Sequence, residues 1–226
     1  MKVKSDIIAL VPMKAHSERV ANKNMRSFCG RPLYHHVMET LLSSRYVKEI
    51  YINTDSQMIG EDAKKHFDRV HIIERPESIR GDLIPMNDII AYDLSQIKGE
   101  HFLQTHSTNP FLTAAIIDRA IECYFENLER YDSLFTVTRH QTRLYWQDGC
   151  PVNHNPKELL RTQDLPPVFE ENSNMYFFSK FSFQDSGNRR IGLRPQMFEM
   201  DSLEAIDIDE ERDFRLAEIL YKGLKE

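Results

Sequence analysis

The feature that most constrains this chain is the regular alternation of short apolar runs with amphipathic segments over its first 138 residues. Ile7-Ile8-Ala9-Leu10-Val11 is an unbroken apolar run stopped by Pro12, the pattern of a central strand buried on both faces. Pro32 then opens a helix in which Leu33, Val37 and Leu41 share one face. Lys48 to Thr54 reads as a second strand, and Thr54-Asp55-Ser56 offers short polar side chains to cap a helix running through Phe67. Val70 to Ile73 is a third strand, Pro85 starts a helix to about Ile97, and His101 to Gln104 is a short strand. A helix carrying Ile116, Ile117, Ala120, Ile121 and Tyr124, and a strand from Leu134 to Thr138, complete the series. Strands that alternate with helices imply parallel crossovers, so the expected fold is an open α/β, doubly wound, mostly parallel sheet.

Beyond Thr138 the pattern changes. From Arg139 to Phe169 no period survives: Trp146-Gln147-Asp148-Gly149 suggests a hairpin, and Pro151, Pro156, Pro166 and Pro167 punctuate loops. Residues 139–172 are therefore expected to project from the sheet as a small subdomain. Asn174 to Phe178 resumes a strand, Phe198 to Ile208 contains another, and Glu210 to Leu224 reads as a closing amphipathic helix. With 226 residues and no internal repeat, the chain has room for one domain over 1–226.

Composition narrows the function. Lys and Arg are scattered and the net charge is -6, which argues against a nucleic-acid or anionic-membrane surface. No apolar run approaches the roughly 18 residues of a membrane span, and no apolar signal region precedes Asp6, so a cytoplasmic protein is expected. Cys29, Cys123 and Cys150 form neither an even framework nor a C-x-x-C pair, so reduced thiols and no structural zinc are expected.

In an open α/β sheet, ligands bind beyond the carboxyl ends of the strands, so the loops that follow strands carry the chemistry. The first of these, Met13 to Asn24, holds Lys14, Arg19 and Lys23 beside the exit of the first strand, with Ser17 as a further donor. Three cations there could converge on a polyphosphate; the alternative is a solvated basic loop. The loop has no glycine and is neither a Walker A motif nor G-x-G-x-x-G. Near the end of the chain, Asp207 and Asp209 stand two apart, and on a strand such carboxylates point to one side, where a hard cation such as Mg²⁺ could bridge them to phosphates. The alternative is that Asp209 caps the last helix and Asp207 is solvated. His106-Ser107-Thr108-Asn109-Pro110 is a polar loop after a short strand, in which His106 could contact a sugar hydroxyl or serve as a base.

Taken in order, these loops resemble the acylneuraminate cytidylyltransferase family, the CMP-sugar synthetases. The resemblance spans nearly the whole chain and rests on Val11-Pro12 through Lys23-Asn24, Gly30-Arg31-Pro32-Leu33, Asn53-Thr54-Asp55, Arg75-Pro76, Thr108-Asn109-Pro110, Arg161 to Pro166, Asn172 to Tyr176 and Ile206 to Asp209. It implies a Rossmann-like nucleotidyltransferase fold and transfer of CMP from CTP to a nonulosonic, sialic-acid-like sugar acid, with release of pyrophosphate. Another acceptor (Kdo, a phosphonate or a sugar phosphate) and a nucleotide-binding module without catalysis are the alternatives. The resemblance assigns Lys14, Lys23 and Asp209 to catalysis, with Arg19 from the basic loop beside them, and Pro12, Lys14, Ser17, Lys23, Asn24 and Arg75 to the nucleotide. It assigns Thr108, Asn109, Arg161, Gln163, Glu170 and Asn172 to the acceptor, with His106 at the position of the family's acceptor-facing amide, and Asp207 and Asp209 to Mg²⁺. It also implies a homodimer in which the irregular middle segment reaches the partner's site.

This chain departs from the family at three points. Ser17-Glu18-Arg19 replaces a common Ser-Lys-Gly, so the basic group moves by one position. His106 replaces an amide facing the acceptor. Glu170 stands where sialic-acid enzymes pair an arginine with the sugar carboxylate, and a glutamate there repels such a group.

Overall fold

A computed structural model describes residues 6–15, 17 and 19–224. In chain order, strand β1 (Ile7–Leu10) leads to a two-stranded ribbon, β2 (Ser27–Phe28) with β3 (Arg31–Pro32), and then to α1 (Leu33–Ser43). β4 (Val47–Thr54), α2 (Gln57–His66), β5 (Val70–Glu74), α3 (Met86–Gln96), β6 (His101–Thr105) and α4 (Ala114–Glu126) follow. β7 (Ser133–His140), β8 (Val168–Ser179), α5 (Lys180–Asp185), β9 (Pro195–Met200) and α6 (Glu211–Gly223) complete the chain's elements. The main sheet runs β5-β4-β1-β6-β8-β7-β9. β8 alone among these seven is antiparallel to its neighbours, so the expected doubly wound, mostly parallel α/β architecture is what the chain adopts.

The apolar periodicity decides which helix covers which face. Tyr34, Val37, Met38 and Leu41 of α1, Ile59 and Ala63 of α2, and Ile116, Ile117, Ala120 and Ile121 of α4 share one core with Ile7, Ala9 and Val11. Ile8 and Leu10 point the other way, into a core with Ile90 and Leu94 of α3 and Phe183 of α5. Both faces of β1 are thus buried, which is why its residues are uniformly apolar. A third cluster joins Val20, Phe28 and Leu33 to Ile208, Phe214 and Ala217. It docks α6 on the loop after β1, helped by Arg26, whose guanidinium forks onto Glu211 and lies 4.0 Å from the Phe214 ring centroid.

Helix starts follow the polar signals. Ser56 caps α2 by accepting from the Ile59 N–H, as expected from Thr54-Asp55-Ser56, and Thr113 caps α4 in the same way. Pro32 and Pro85 sit at the N-caps of α1 and α3, one residue ahead of the first helical position.

Two expectations need correction. β7 extends to His140 and β8 begins at Val168, so the irregular segment narrows to 141–167, within which the expected hairpin forms around Gly149 (φ 84) with Trp146 N–H donating to Cys150 O. The start of β8 is polar and solvent-facing at Phe169-Glu170-Glu171, and a strand without a buried face has no period to read. The last strand ends at Met200, and 201–210 is irregular, so Asp207 and Asp209 do not lie on a strand.

Between β7 and β8 the register breaks: Phe135 pairs with Tyr176 and Val137 with Glu171. The extra residues of β8 form a bulge around Ser173, whose φ is 59, and buried Thr136 pins it by donating to Asn172 Oδ1 (2.7 Å) and accepting from the Met175 N–H (2.9 Å). Such bulges re-aim side chains at strand ends.

Behind the carboxyl ends of β1 and β4 lies a buried polar network. Arg75 donates from Nε to Asn53 Oδ1 (2.6 Å) and from Nη2 to Asn53 O (2.9 Å), while Asn53 Nδ2 donates to Asp93 Oδ1 (2.5 Å). Asp93 Oδ2 is buried with no hydrogen-bond partner among the described residues. Burial pushes the Asp93 carboxyl up to about 7, against the pull of the Asn53 bond and the Arg75 charge. The folded chain therefore holds a proton that the unfolded chain releases near pH 4, and stability falls as pH rises from about 4 to 7. We expect Asp93→Asn to flatten that slope, by up to roughly 2–4 kcal/mol across the window, in denaturant titrations at successive pH values; an unchanged slope would show Asp93 ionised at neutral pH.

Candidate functional site

A cleft of about 920 Å³ opens at the carboxyl ends of the parallel strands, where this architecture places ligands. Its walls come from the loops after β1, β5, β6 and β9 and from the β7–β8 bulge, and Pro12, Lys14, Ser17, Arg19, Lys23, Asn24, His106, Thr108, Glu170, Asn172, Asp207 and Asp209 all line it.

One wall is basic. Lys14 Nζ pairs with Asp82 after β5. Arg19 Nη2 lies 2.8 Å from Asp209 Oδ1, and Lys23 Nζ donates to Ile208 O at 2.7 Å and lies 3.7 Å from the same carboxylate oxygen. The three cations thus share one cleft wall instead of dispersing into solvent. Asn24 braces that wall, donating to Lys14 O and accepting from Ser107 Oγ at 2.8 Å. Ser17 Oγ accepts weakly from the Val20 N–H at 3.4 Å. Glu18, the charge-reversed position of this loop, and His16 lie outside the described residues.

Arg75 also reaches the cleft, but it is only 2% exposed and three of its hydrogen bonds go to Asn53 and Met13. Its structural share is to tie the strand ends that carry the basic loop.

Opposite stand Asp207 and Asp209. The cap of α6 is Glu210, in a capping box with Asp213, so the alternative that Asp209 serves as the helix cap does not hold. Asp207 Oδ1 is buried with no hydrogen-bond partner among the described residues. An ionised carboxylate only accepts, and a buried oxygen left without a donor costs about 1–3 kcal/mol or more. A cation between Asp207 and Asp209 would remove that cost, and two carboxylates on a loop are ligands suited to a hard divalent ion. The strand alternation that suggested this pair is absent; the docking of Ile208 into the third core sends its two neighbours toward the cleft.

The far wall is acidic. Glu170 pairs with His140 Nε2 at 2.6 Å, and Glu171 accepts from the Tyr176 hydroxyl. His106 is half-buried beside Asp207, and burial holds its imidazole below its usual value against the pull of that carboxylate. The Thr108 carbonyl accepts from the Ile208 N–H (3.1 Å), and Asn172 is held by Thr136 and Thr138.

Three residues expected at the acceptor do not line the cleft of the single chain. Asn109 is 1% exposed and spends its amide on Asn174 Oδ1 and Glu204 O, both at 2.6 Å, while its own Oδ1 accepts from the Phe111 N–H. Arg161 is exposed and forks onto Asp164, and the Gln163 carbonyl accepts from Gln141 in the irregular segment. Conversely, Asp82, Thr138, His140, Glu171 and Ser173 line the cleft without having been singled out. The rule that strand carboxyl ends hold the site would have found Asp82 after β5; the others needed the true extents of β7 and β8.

The cytidylyltransferase family model matches residues 8–225, and the chain belongs to that family. It is 25% identical over 228 residues to an N-acylneuraminate cytidylyltransferase of Escherichia coli, covering 95% of this chain and 52% of the relative, so the chain spans about half that relative's length. It is 22% identical over 230 residues to a pseudaminic acid cytidylyltransferase of Campylobacter jejuni, covering 95% of this chain and 96% of the relative. Among solved structures, CMP:2-keto-3-deoxy-manno-octonic acid synthetase complexed with CTP superposes with a TM-score of 0.71 at 10% identity, over 97% of this chain and 99% of the other. That likeness establishes the Rossmann-like nucleotidyltransferase fold.

Because Asn109 acts as a tie between loops, we expect Asn109→Ala to cost about 1–3 kcal/mol by leaving the Glu204 carbonyl and Asn174 short of a partner. Urea denaturation would read this, and undiminished stability would show that the loops hold without it.

Proposed function

We propose that the chain transfers CMP from CTP to a nonulosonic, sialic-acid-like sugar acid and releases pyrophosphate. The observation that carries this reading is the facing of an unpartnered Asp207 oxygen and Asp209 against the basic wall of Lys14, Arg19 and Lys23. An acceptor oxygen attacks the α-phosphorus in line, the bond to the β-phosphate oxygen breaks, and pyrophosphate departs. Such a transfer is governed by positioning and charge stabilisation. Asp207 and Asp209 would hold Mg²⁺, which when bound would supply charge neutralisation and lower the pKa of the attacking hydroxyl. Lys14 and Arg19 exchange their carboxylate partners for phosphates and, with Lys23 held in place, stabilise the leaving group. His106, kept neutral by burial, accepts a hydrogen bond from an acceptor hydroxyl.

The names of the two curated relatives, an N-acylneuraminate and a pseudaminic acid cytidylyltransferase, support a nine-carbon sugar acid as acceptor. Glu170 and Glu171 favour a variant of that reading, in which the part of the acceptor on their wall bears hydroxyl or amino donors and its carboxylate is turned away. The irregular segment 141–167, with Arg161 and Gln163, serves the neighbouring cleft of a cytoplasmic homodimer. No helix among the described residues is long and apolar enough to cross a membrane.

We expect Asp209→Asn to lose at least about a hundredfold in Mg²⁺-dependent pyrophosphate release, on the scale of removing one transition-state contact, while circular dichroism shows the fold retained. Undiminished turnover by the folded variant would sink the assignment. In thermal shift with Mg²⁺, CTP should stabilise the protein more than ATP, GTP or UTP; equal responses to all four would remove the basis for cytidine. Incubation with CTP, Mg²⁺ and a panel of nonulosonic acids, Kdo and phosphonates, read by the mass of the CMP conjugate, identifies the acceptor. No conjugate with any of them, despite CTP binding, would favour a module without catalysis.

A further inference from the structure

Away from the cleft, the seam between α1 and α2 holds a second cluster of potential ligands. Asp62 and His66 are four residues apart on α2 and so share one face. His35, near the start of α1, faces them: its Nε2 lies 2.6 Å from Asp62 Oδ2, while His66 Nδ1 lies 3.2 Å from Asp62 Oδ1. One ligand atom from each of the three residues falls within 4.8 Å of the others. From these positions we propose that His35, Asp62 and His66 form a second metal site, suited to Zn²⁺ or a similar first-row transition ion and distinct from the carboxylate pair in the cleft.

The donor set sets the class of ion. Two imidazoles and one carboxylate match borderline-soft cations, with one position left for water, whereas Mg²⁺ prefers oxygen ligands. In a tetrahedral Zn²⁺ site, bonds of about 2.0–2.1 Å leave ligand atoms roughly 3.3 Å apart. His66 lies 3.2 Å from Asp62 Oδ1 and His35 2.6 Å from Asp62 Oδ2, and with one ligand atom from each residue within 4.8 Å of the others, side-chain adjustments of an ångström or so would bring the three to this spacing. In the metal-free chain the His35 ring bonds the Asp62 carboxylate at 2.6 Å and His66 Nδ1 donates to the Asp62 backbone carbonyl at 2.9 Å, and an ion would replace both contacts.

The surroundings have the character of a supporting shell. The Tyr34 hydroxyl donates to Asp62 Oδ2, as an outer partner commonly holds a ligating carboxylate. The Phe67 ring packs edge-on against His35 at 4.7 Å and limits its rotation. Asp62 also lines a shallow surface depression with Met25 and Lys65, and His66 is half-exposed, so an ion has a way in. The Tyr34 N–H donates to Asn24 O, so an ion joining α1 to α2 would stiffen the element against which the basic wall of the cleft is braced.

The test titrates the metal-stripped full chain with Co²⁺ and then Zn²⁺. We expect one equivalent of Co²⁺ to bind with visible d–d absorption of low-symmetry coordination, Zn²⁺ to displace it, and Zn²⁺ to raise the thermal midpoint. His66→Ala, at a half-exposed position in the last turn of α2, should weaken Co²⁺ binding by roughly tenfold or more and abolish the Zn²⁺ shift. Asp62→Asn, which keeps the side chain's size, should do the same. The double variant Asp207→Asn with Asp209→Asn should bind Co²⁺ as the parent does. No saturable Co²⁺ binding, binding unchanged in both His66→Ala and Asp62→Asn, or binding lost only in the Asp207/Asp209 double variant would overturn the proposal.

Discussion

Asn174 is the tie on which the cleft depends. Its Oδ1 accepts from Asn109 after β6, its Nδ2 donates to Ala205 O after β9 (3.1 Å) and to Asn172 O (3.2 Å), and its own carbonyl accepts from Thr105 Oγ1 (2.7 Å). One buried side chain thus joins the loops of two parallel strands to the bulge of the antiparallel one. Backbone groups in such loops have no ladder to satisfy them, so buried amides do that work. The bulge frees Asn174 to point inward, and the left-handed turn at Ser173 makes the bulge possible. The path of the chain through 204–208, and hence where Asp207 emerges, follows from this arrangement.

The charges in the cleft are balanced so that exchange is cheap. Lys14 and Arg19 are about half exposed where they meet Asp82 and Asp209, and exposed pairs contribute only about 0–1 kcal/mol. A polyphosphate can displace such partners at little cost. Lys23 differs: its side chain is 13% exposed and it holds the Ile208 carbonyl, so it stays in place with or without ligand. The buried Asp207 oxygen is the converse case, a group the protein leaves unsatisfied on one side, and in a native cleft that marks a position for something brought from outside.

How much of this was legible in the sequence depended on whether a residue's neighbours are local. The order of strands and helices through Thr138 was readable because β1, α1, β4 and α4 bury regular apolar faces, and burial writes a period into the sequence. The basic loop and the Asp207–Asp209 pair were readable because each is contiguous. The start of β8 was not, since Phe169-Glu170-Glu171 buries no face, and Asp207 and Asp209 reach the cleft from irregular chain for a reason, the docking of Ile208 beside Phe28 and Phe214, that joins positions about 180 residues apart. The same limit explains Asn109: a short polar side chain beside a proline looks alike whether it meets a ligand or ties two loops. Only its partners Asn174 and Glu204 tell the two apart.

Family membership constrains the two ends of the cleft unequally. Under the proposed reading, the phosphate end calls for cations facing carboxylates, and Lys14 supplies one there as a point charge without a bidentate fork. At the acceptor end, nothing in the transfer itself dictates the residues, because any group that fixes the attacking oxygen will serve. There His140 lies against Glu170 at 2.6 Å, and Glu171 is tied to Tyr176, over whose ring the Arg190 guanidinium sits at 4.1 Å. Each of these acidic groups already has a partner within the protein, so the wall shows an acceptor hydrogen-bond acceptors more than net repulsion. Under the proposed reading, a sugar acid lies against it through hydroxyl or amino groups with its carboxylate toward the basic side, and that orientation is what a glutamate at position 170 would require.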